Sequence, residues 1–297
     1  MNRGMKIFLM VVVLSILSSF FVGLLNRGST GIFGQEALGL LKIEGVIVDV
    51  DWYMEQVESL RLDNSVRAVV LRINSPGGAV APTQELYDEL LKLREEKPVV
   101  VSMGTVAASG GYYLSSAADW IICNPGTLTG SIGVIMQFTN LEEMFGKIGV
   151  RGEVVKSGEY KDMGSPYREM TQDERKLLYD MVMDIREQFV EAVVSGRQLE
   201  YEDVDPYFDG RVFSGRQALE IGLVDELGNV NVALEKAAAL AGLPQVPSRI
   251  VQPEVRERGL LSLLFGRSFS DRMDAVIDRL GVDGFGAARE FQLWRAF

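Results

Sequence analysis

Apolar positions in this chain come in short β-branched runs separated by stretches of helical spacing. Residues 38–49 (LGLLKIEGVIVD), 67–74 (RAVVLRIN) and 97–103 (KPVVVSM) each read as a buried strand. Between them, residues 51–62 (DWYMEQVESLRL) and about 83–96 read as helices, the second carrying Leu86, Leu90, Leu91 and Leu93 on or near one face. This alternation predicts parallel βαβ units. Further short strands are expected at 120–124 and 131–136. A long helix is predicted from Thr171, because Thr171 and Glu174 fit a T-x-x-E capping box. Leu177, Met181, Ile185, Phe189 and Val193 then recur at every fourth position, a stripe expected to face the core or another subunit, and Gly196 is the expected stop. Residues 213–228 and 232–241 predict a helix, a short strand and a final helix.

The two ends depart from this pattern. Residues 7–25 form a run of 19 without a charge. A helix of that length, at 1.5 Å per residue, nearly spans a hydrocarbon layer about 30 Å thick. Arg3 and Lys6 precede the run, so residues 1–6 are expected in the cytoplasm and the body on the far side of the cell (inner or plasma) membrane. A cleaved signal peptide is the competing reading. It is less favoured because the run exceeds a typical 7–15-residue apolar region and no clear A-x-A site follows. Residues 26–37 read as a tether, 38–245 as the main domain and 246–297 as a tail of unknown role, with apolar islands among charges and glycines.

Composition removes whole classes of chemistry. The 297 residues include no histidine and a single cysteine, Cys123. Ser-His-Asp and Cys-His catalysis, intrachain disulfides and His-bearing metal sites are therefore excluded. No metal or cofactor is expected. Any base must be Lys, Asp, Glu, Tyr or a terminal amine. Net charge is −11, and beyond residue 30 the remaining 27 basic residues face all 41 acids. Such a surface repels phosphate backbones, so nucleic acid is not an expected partner.

Two glycine-rich turns follow predicted strands. In 74–78 (NSPGG) the paired glycines permit a sharp turn with free N–H groups that could hold an oxyanion. In 107–113 (AASGGYY), Ser109 lies among small residues where a helix can begin, at the positive end of its dipole. The ordinary readings are a simple turn and an N-cap serine. A nucleophilic serine without histidine needs another base, and lysine serves only if its pKa falls from about 10.4 toward neutrality. Lys156 and Lys161 are the candidates, and spacing does not separate them. Glu159 and Asp162 flank Lys161 and would oppose that fall if they pointed inward.

The ordered set NSPGG, SMGTVAASGGYYL, TLTGSIGV, KSGEYKDMGSP and DGRVFSGRQALEIGLVDELG resembles the signal peptide peptidases of the S49 serine peptidase family, in the short single-copy form. The resemblance implies an α/β fold of crotonase/Clp-protease-like repeated ββα units, here preceded by one N-terminal transmembrane helix. It implies a Ser–Lys dyad of Ser109 and Lys161, an oxyanion donor at Gly78, and a lysine-orienting hydroxyl at Ser131. Gly110 N–H is added as a second oxyanion donor. It also implies peptide substrates, signal-peptide remnants among them, and a homo-oligomeric ring whose neighbouring subunits complete each site. Rival readings are a stomatin-partner-type membrane Ser–Lys peptidase, crotonase acyl-CoA chemistry and a non-catalytic scaffold. Extracytoplasmic placement disfavours acyl-CoA chemistry, and the intact candidate residues disfavour a scaffold.

Overall fold

The computed structural model describes residues 36–253. The expected anchor at 7–25, nearly all of the tether and the tail beyond residue 253 lie outside the described residues. Among the described residues no helix is long and apolar enough to cross a membrane.

Three long parallel strands form the centre: β1 (Ala37–Glu44), β2 (Val66–Ser75) and β3 (Val99–Ala108). Helix α1 (Asp51–Leu62) links the first pair and α2 (Val80–Glu96) the second, as the alternation predicts. Successive side chains on a strand point to opposite faces. Val69, Leu71, Val99, Val101 and Met103 therefore pack with α1 and α2 through Leu60, Leu86, Leu90 and Leu93. Leu38, Ala68, Val70, Val100 and Ile122 pack on the other face against Ala233, Ala237 and Ala238. Those alanines belong to the helix Val230–Leu240. Strands covered on both faces are apolar nearly throughout, which is why they read as continuous runs.

Strand β3 changes partners along its length. Its first half pairs in parallel with β4 (Trp120–Cys123), and its second half, Val106–Ala108, pairs with β5 (Leu128–Gly130). Between the halves its register with β2 slips, from Ile73 opposite Met103 to Ser75 opposite Ala107. Asn74 fills the gap, its Oδ1 accepting from the N–H groups of Thr105 (3.0 Å) and Val106 (3.2 Å). The hydroxyls of Thr127 and Thr129 tie the second half across to β5 through the Gly104 and Ala107 carbonyls. Strand β6 (Val212–Ser214) adds antiparallel to β5, and β7 (Glu226–Leu227) adds to β4. At the opposite edge β8 (Arg249–Val251) pairs with β1, so the sheet continues past residue 245.

The remaining α-helices among the described residues are α3 (Gly110–Ser115), α4 (Glu142–Lys147), α5 (Gln172–Arg197), α6 (Tyr201–Val204), α7 (Gly215–Glu220) and α8 (Val230–Leu240). The reciprocal capping box of Thr171 and Glu174 opens α5 as expected. Its stop is one residue beyond the predicted glycine, with Gln198 in the left-handed conformation as cap. The apolar stripe divides. Phe189 and Val193 are buried in the core, while Leu177 and Met181 are 45% and 48% exposed. The strand expected at 131–136 does not form. Strand β5 ends at Gly130, and residues 131–140 have no regular structure, with Ile135 87% exposed. Ile132 is buried in the core, but Ile135 and Met136 are exposed and find no core among the described residues, so no packing favours an extended ladder there.

Candidate active site

The two glycine turns meet backbone to backbone. Gly77, at φ +98°, takes a conformation that side chains resist, and its N–H donates to the buried Ser75 hydroxyl at 3.1 Å. A β carbon at Gly77 would lie 2.6 Å from the Gly110 nitrogen and 2.9 Å from Ser109 Cβ. One at Gly110 would lie 3.3 Å from the Gly78 nitrogen. Glycine at these positions is what lets the end of β2 and the end of β3 touch.

Ser109 occupies the corner between β3 and α3 with φ 52° and ψ −122°. This is a rare conformation for a residue with a side chain, costing about 1–3 kcal/mol. The surroundings hold it there. Its N–H donates to the Gly130 carbonyl at 2.8 Å, and its carbonyl accepts from the N–H groups of Tyr112 and Tyr113. Tyr112, fully buried, donates its phenol to the Leu223 carbonyl at 2.8 Å and anchors α3. Burial drives that phenol well above its ordinary pKa, so it stays protonated. The N-cap reading of Ser109 is half right. The residue stands at the cap position, but its hydroxyl makes no capping bond. Neither that hydroxyl nor the amides of Gly78 and Gly110 are engaged by another group among the described residues. A free hydroxyl flanked by two free, glycine-borne N–H groups can attack a carbonyl and receive the resulting negative oxygen.

Ser131 lies one residue beyond the carbonyl that anchors Ser109. It also has φ 52°, and its N–H donates to the Arg211 carbonyl at 2.8 Å. The structure thus brings Gly78, Ser109, Gly110 and Ser131 to one end of the sheet.

Lys161 stands apart from this group within a single chain. It lies on a 3-10 turn, Glu159–Asp162, in an exposed arm spanning residues 134–170, and shares no hydrogen bond with Ser109. Its N–H donates to the Gly158 carbonyl at 3.2 Å, and its Nζ has no hydrogen-bond or ion-pair partner among the described residues. Lys156 does: its Nζ donates to the Glu159 carbonyl (2.8 Å) and to Asp162 Oδ1 (2.7 Å). Lys156 is thus committed to an ion pair, whereas the Lys161 Nζ makes no hydrogen bond or ion pair among the described residues. Asp162 turns away from its neighbour to Arg168 and Lys156, which hold its carboxyl far below the usual carboxylate range. The arm is folded on itself, with Phe145 and Tyr167 rings 5.0 Å apart. An open groove of about 720 Å³ runs along it, lined by Met136, Phe138, Arg168 and Met170 among others and not by Ser109. No cluster of acids or cysteine among the described residues could hold a metal ion.

Asn74 and Arg168 escaped the sequence reading. Asn74 stood within a quoted motif but read as turn chemistry. Arg168 carried no signal at all, since its two carboxylate partners are brought to it by the fold.

The sequence model of peptidase family S49 matches residues 92–244, over half of the chain. The chain belongs to peptidase family S49. As an S49 member it is a serine peptidase. The model of Clp protease matches residues 49–122, in keeping with the mixed α/β architecture of the α1–β4 region. The S49 chain is 41% identical over 227 residues to slr0021 of Synechocystis sp., a provisionally assigned protease, covering 76% of this chain and 80% of that protein. It is 32% identical to a provisionally named signal peptide peptidase SppA of Enterococcus faecium, over 77% of this chain and 69% of that one. Protease 4 of Haemophilus influenzae is 37% identical over 70% of this chain but only 35% of its own length.

Proposed function

We propose that this S49 peptidase hydrolyses peptides with Ser109 as nucleophile and Lys161 as general base. Lys161 in its neutral form takes the Ser109 hydroxyl proton as the serine oxygen adds to the substrate carbonyl. The Gly78 and Gly110 N–H groups hold the negative oxygen of the tetrahedral intermediate. The protonated lysine then returns its proton to the departing amine, and the acyl-serine is hydrolysed by a water that the lysine deprotonates. Ser131, one residue beyond the carbonyl that anchors Ser109, is assigned the hydroxyl that orients the lysine. The observation that carries the reading is the strained corner at Ser109, whose hydroxyl makes no capping bond and whose turn packs directly against the Gly77–Gly78 turn.

A lysine works as a base near neutral pH only when stripped of water. Lys161 is exposed in the single chain. Its arm also exposes Ile135 and Val155, and α5 exposes Leu177 and Met181. A homo-oligomer that buries these residues would supply the missing desolvation and bring the lysine to a serine of its own or of a neighbouring subunit. The apolar run at 7–25 fits an anchor in the membrane lipid, with the catalytic body on the extracytoplasmic side. With the SppA-type relative, this points to remnants of cleaved signal peptides and similar apolar peptides as substrates.

The test uses the full-length protein in detergent or bilayer. A serine-directed phosphonate should label position 109 in the wild type and not in Ser109→Ala. Ser109→Ala and Lys161→Ala should each abolish peptide hydrolysis without altering assembly. Labelling elsewhere, or wild-type rates in Lys161→Ala, would overturn the assignment.

A further inference from the structure

Arg168 stands between two carboxylates that belong to different elements. Its Nε donates to Asp162 Oδ2 at 2.9 Å and its Nη2 to Asp162 Oδ1 at 2.7 Å, a two-pronged grip. Nη1 donates to Glu174 Oε2 at 2.9 Å, and Nη2 also meets Glu174 Oε1. The remaining contacts are to the backbone carbonyls of Glu169 and Asp162. Glu174 is itself immobilised. It is buried, it is the third residue of α5, and its Oε2 accepts from the Thr171 N–H in the capping box. A continuous chain of charge-assisted bonds therefore runs from the rigid start of a 26-residue helix, through Arg168, to the 3-10 turn that carries Lys161.

Asp162 is the residue next to Lys161. The charged groups that face its carboxylate are Arg168 and Lys156. A carboxylate left without these cations beside Lys161 would favour the ammonium form, which is the wrong form for a base. Arginine suits the task because its planar fork can hold two carboxylates at once, whereas a lysine in its place offers a single point of charge.

Resting on the reading of Lys161 as the base, we propose that Arg168 is a positioning residue for it. Arg168 fastens the Lys161 turn to the start of α5 and cancels the Asp162 charge, so that the lysine can lose its proton in the working pH range. Arg168 itself touches no substrate in this scheme.

The experiment is the pH profile of kcat/KM for peptide hydrolysis by the full-length, assembled protein. Activity of the wild type rises with pH as the base deprotonates. Arg168→Met should move the midpoint of that rise upward by about one pH unit, the size expected for one uncompensated charge nearby. Adding Asp162→Asn to Arg168→Met should bring the midpoint back, a recovery that a purely structural loss would not show. Asp162→Asn alone, with Arg168 intact, should move the midpoint downward, and this variant carries the test if Arg168→Met fails to assemble. An unchanged midpoint in Arg168→Met, or an unchanged or raised one in Asp162→Asn, overturns the proposal. Its failure is distinct from failure of the dyad. If Lys161→Ala stays active, the base assignment falls. If Lys161→Ala is inactive and the wild type titrates but the variants do not shift, only the role of Arg168 falls.

Discussion

Gly78 lies so close to Ile47 that a β carbon at position 78 would sit 1.9 Å from the Ile47 carbonyl oxygen. That carbonyl accepts from the Ala79 N–H at 2.7 Å, while the Ile47 N–H donates to the Gly77 carbonyl at 3.0 Å. The segment after β1 thus clamps the turn on both sides of Gly78 and aims its free N–H.

Gly78→Ala should therefore push the turn away from Ile47 and displace the amide assigned to the oxyanion. Misplacing one such donor costs on the order of 10²-fold in kcat. Steady-state hydrolysis should show that loss mainly in kcat, and phosphonate labelling of Ser109 should slow in parallel. Full kcat in Gly78→Ala would remove Gly78 from the oxyanion site.

Ser109 gives a prediction in which stability and activity move in opposite directions. At φ 52° and ψ −122° a serine is strained, and glycine is not. Ser109→Gly should abolish hydrolysis yet raise stability by about 1 kcal/mol, after allowing for the extra backbone entropy that glycine loses on folding. Ser109→Ala keeps the β carbon and should not gain. Thermal melting of the two inactive variants side by side checks this. An equal Tm in both would mean that the corner is not strained.

The strands and the serine corner were legible in the residue pattern because burial on both faces imposes long apolar runs, and close backbone contact imposes glycine. The prediction for 51–62 matches α1 residue for residue. The arm was not legible for the same physical reason in reverse. Val154, Val155 and Ile135 look like core residues but have no core to join among the described residues. Periodicity reports apolar faces and not what covers them, so Leu177 and Met181 read the same as Phe189 and Val193. That Asp162 pairs with Lys156 and not with its neighbour Lys161 is a product of the fold, and no spacing rule contains it. The partner exchange along β3 was hidden too, because it depends on the Asn74 side chain replacing a strand partner.

Cys123 separates serine from cysteine chemistry. The thiol is buried in β4, and desolvation pushes it up to about 11. At pH 8 only on the order of one thiol in a thousand is the reactive thiolate, and it is out of reach. Iodoacetamide or an aromatic disulfide should leave the folded protein unmodified and fully active, while a phosphonate inactivates it. Rapid loss of activity on thiol modification would contradict the burial of Cys123.

The Arg168 bridge also predicts how the protein responds to acid. Hydrogen bonds from Arg168, followed by the Thr171 N–H, hold Glu174 at about 2, below the usual carboxylate range. A carboxyl depressed on folding contributes stability that is fully present above its ordinary value. That contribution is lost as pH falls through the folded one. For Glu174 the window runs from about pH 5 down to about pH 2. Glu174→Gln isolates the charge, because glutamine can keep the capping bond: Gln217 does so at the same position of α7, accepting from the Ser214 N–H at 2.9 Å. At pH 7 the variant should melt below the wild type. As pH falls toward 2 the two curves should converge, because the wild type loses the bridge while the variant has none to lose. A difference in Tm that stays constant from pH 7 to pH 2 would mean that Glu174 stabilises α5 by capping alone and that Arg168 bonds it without net effect.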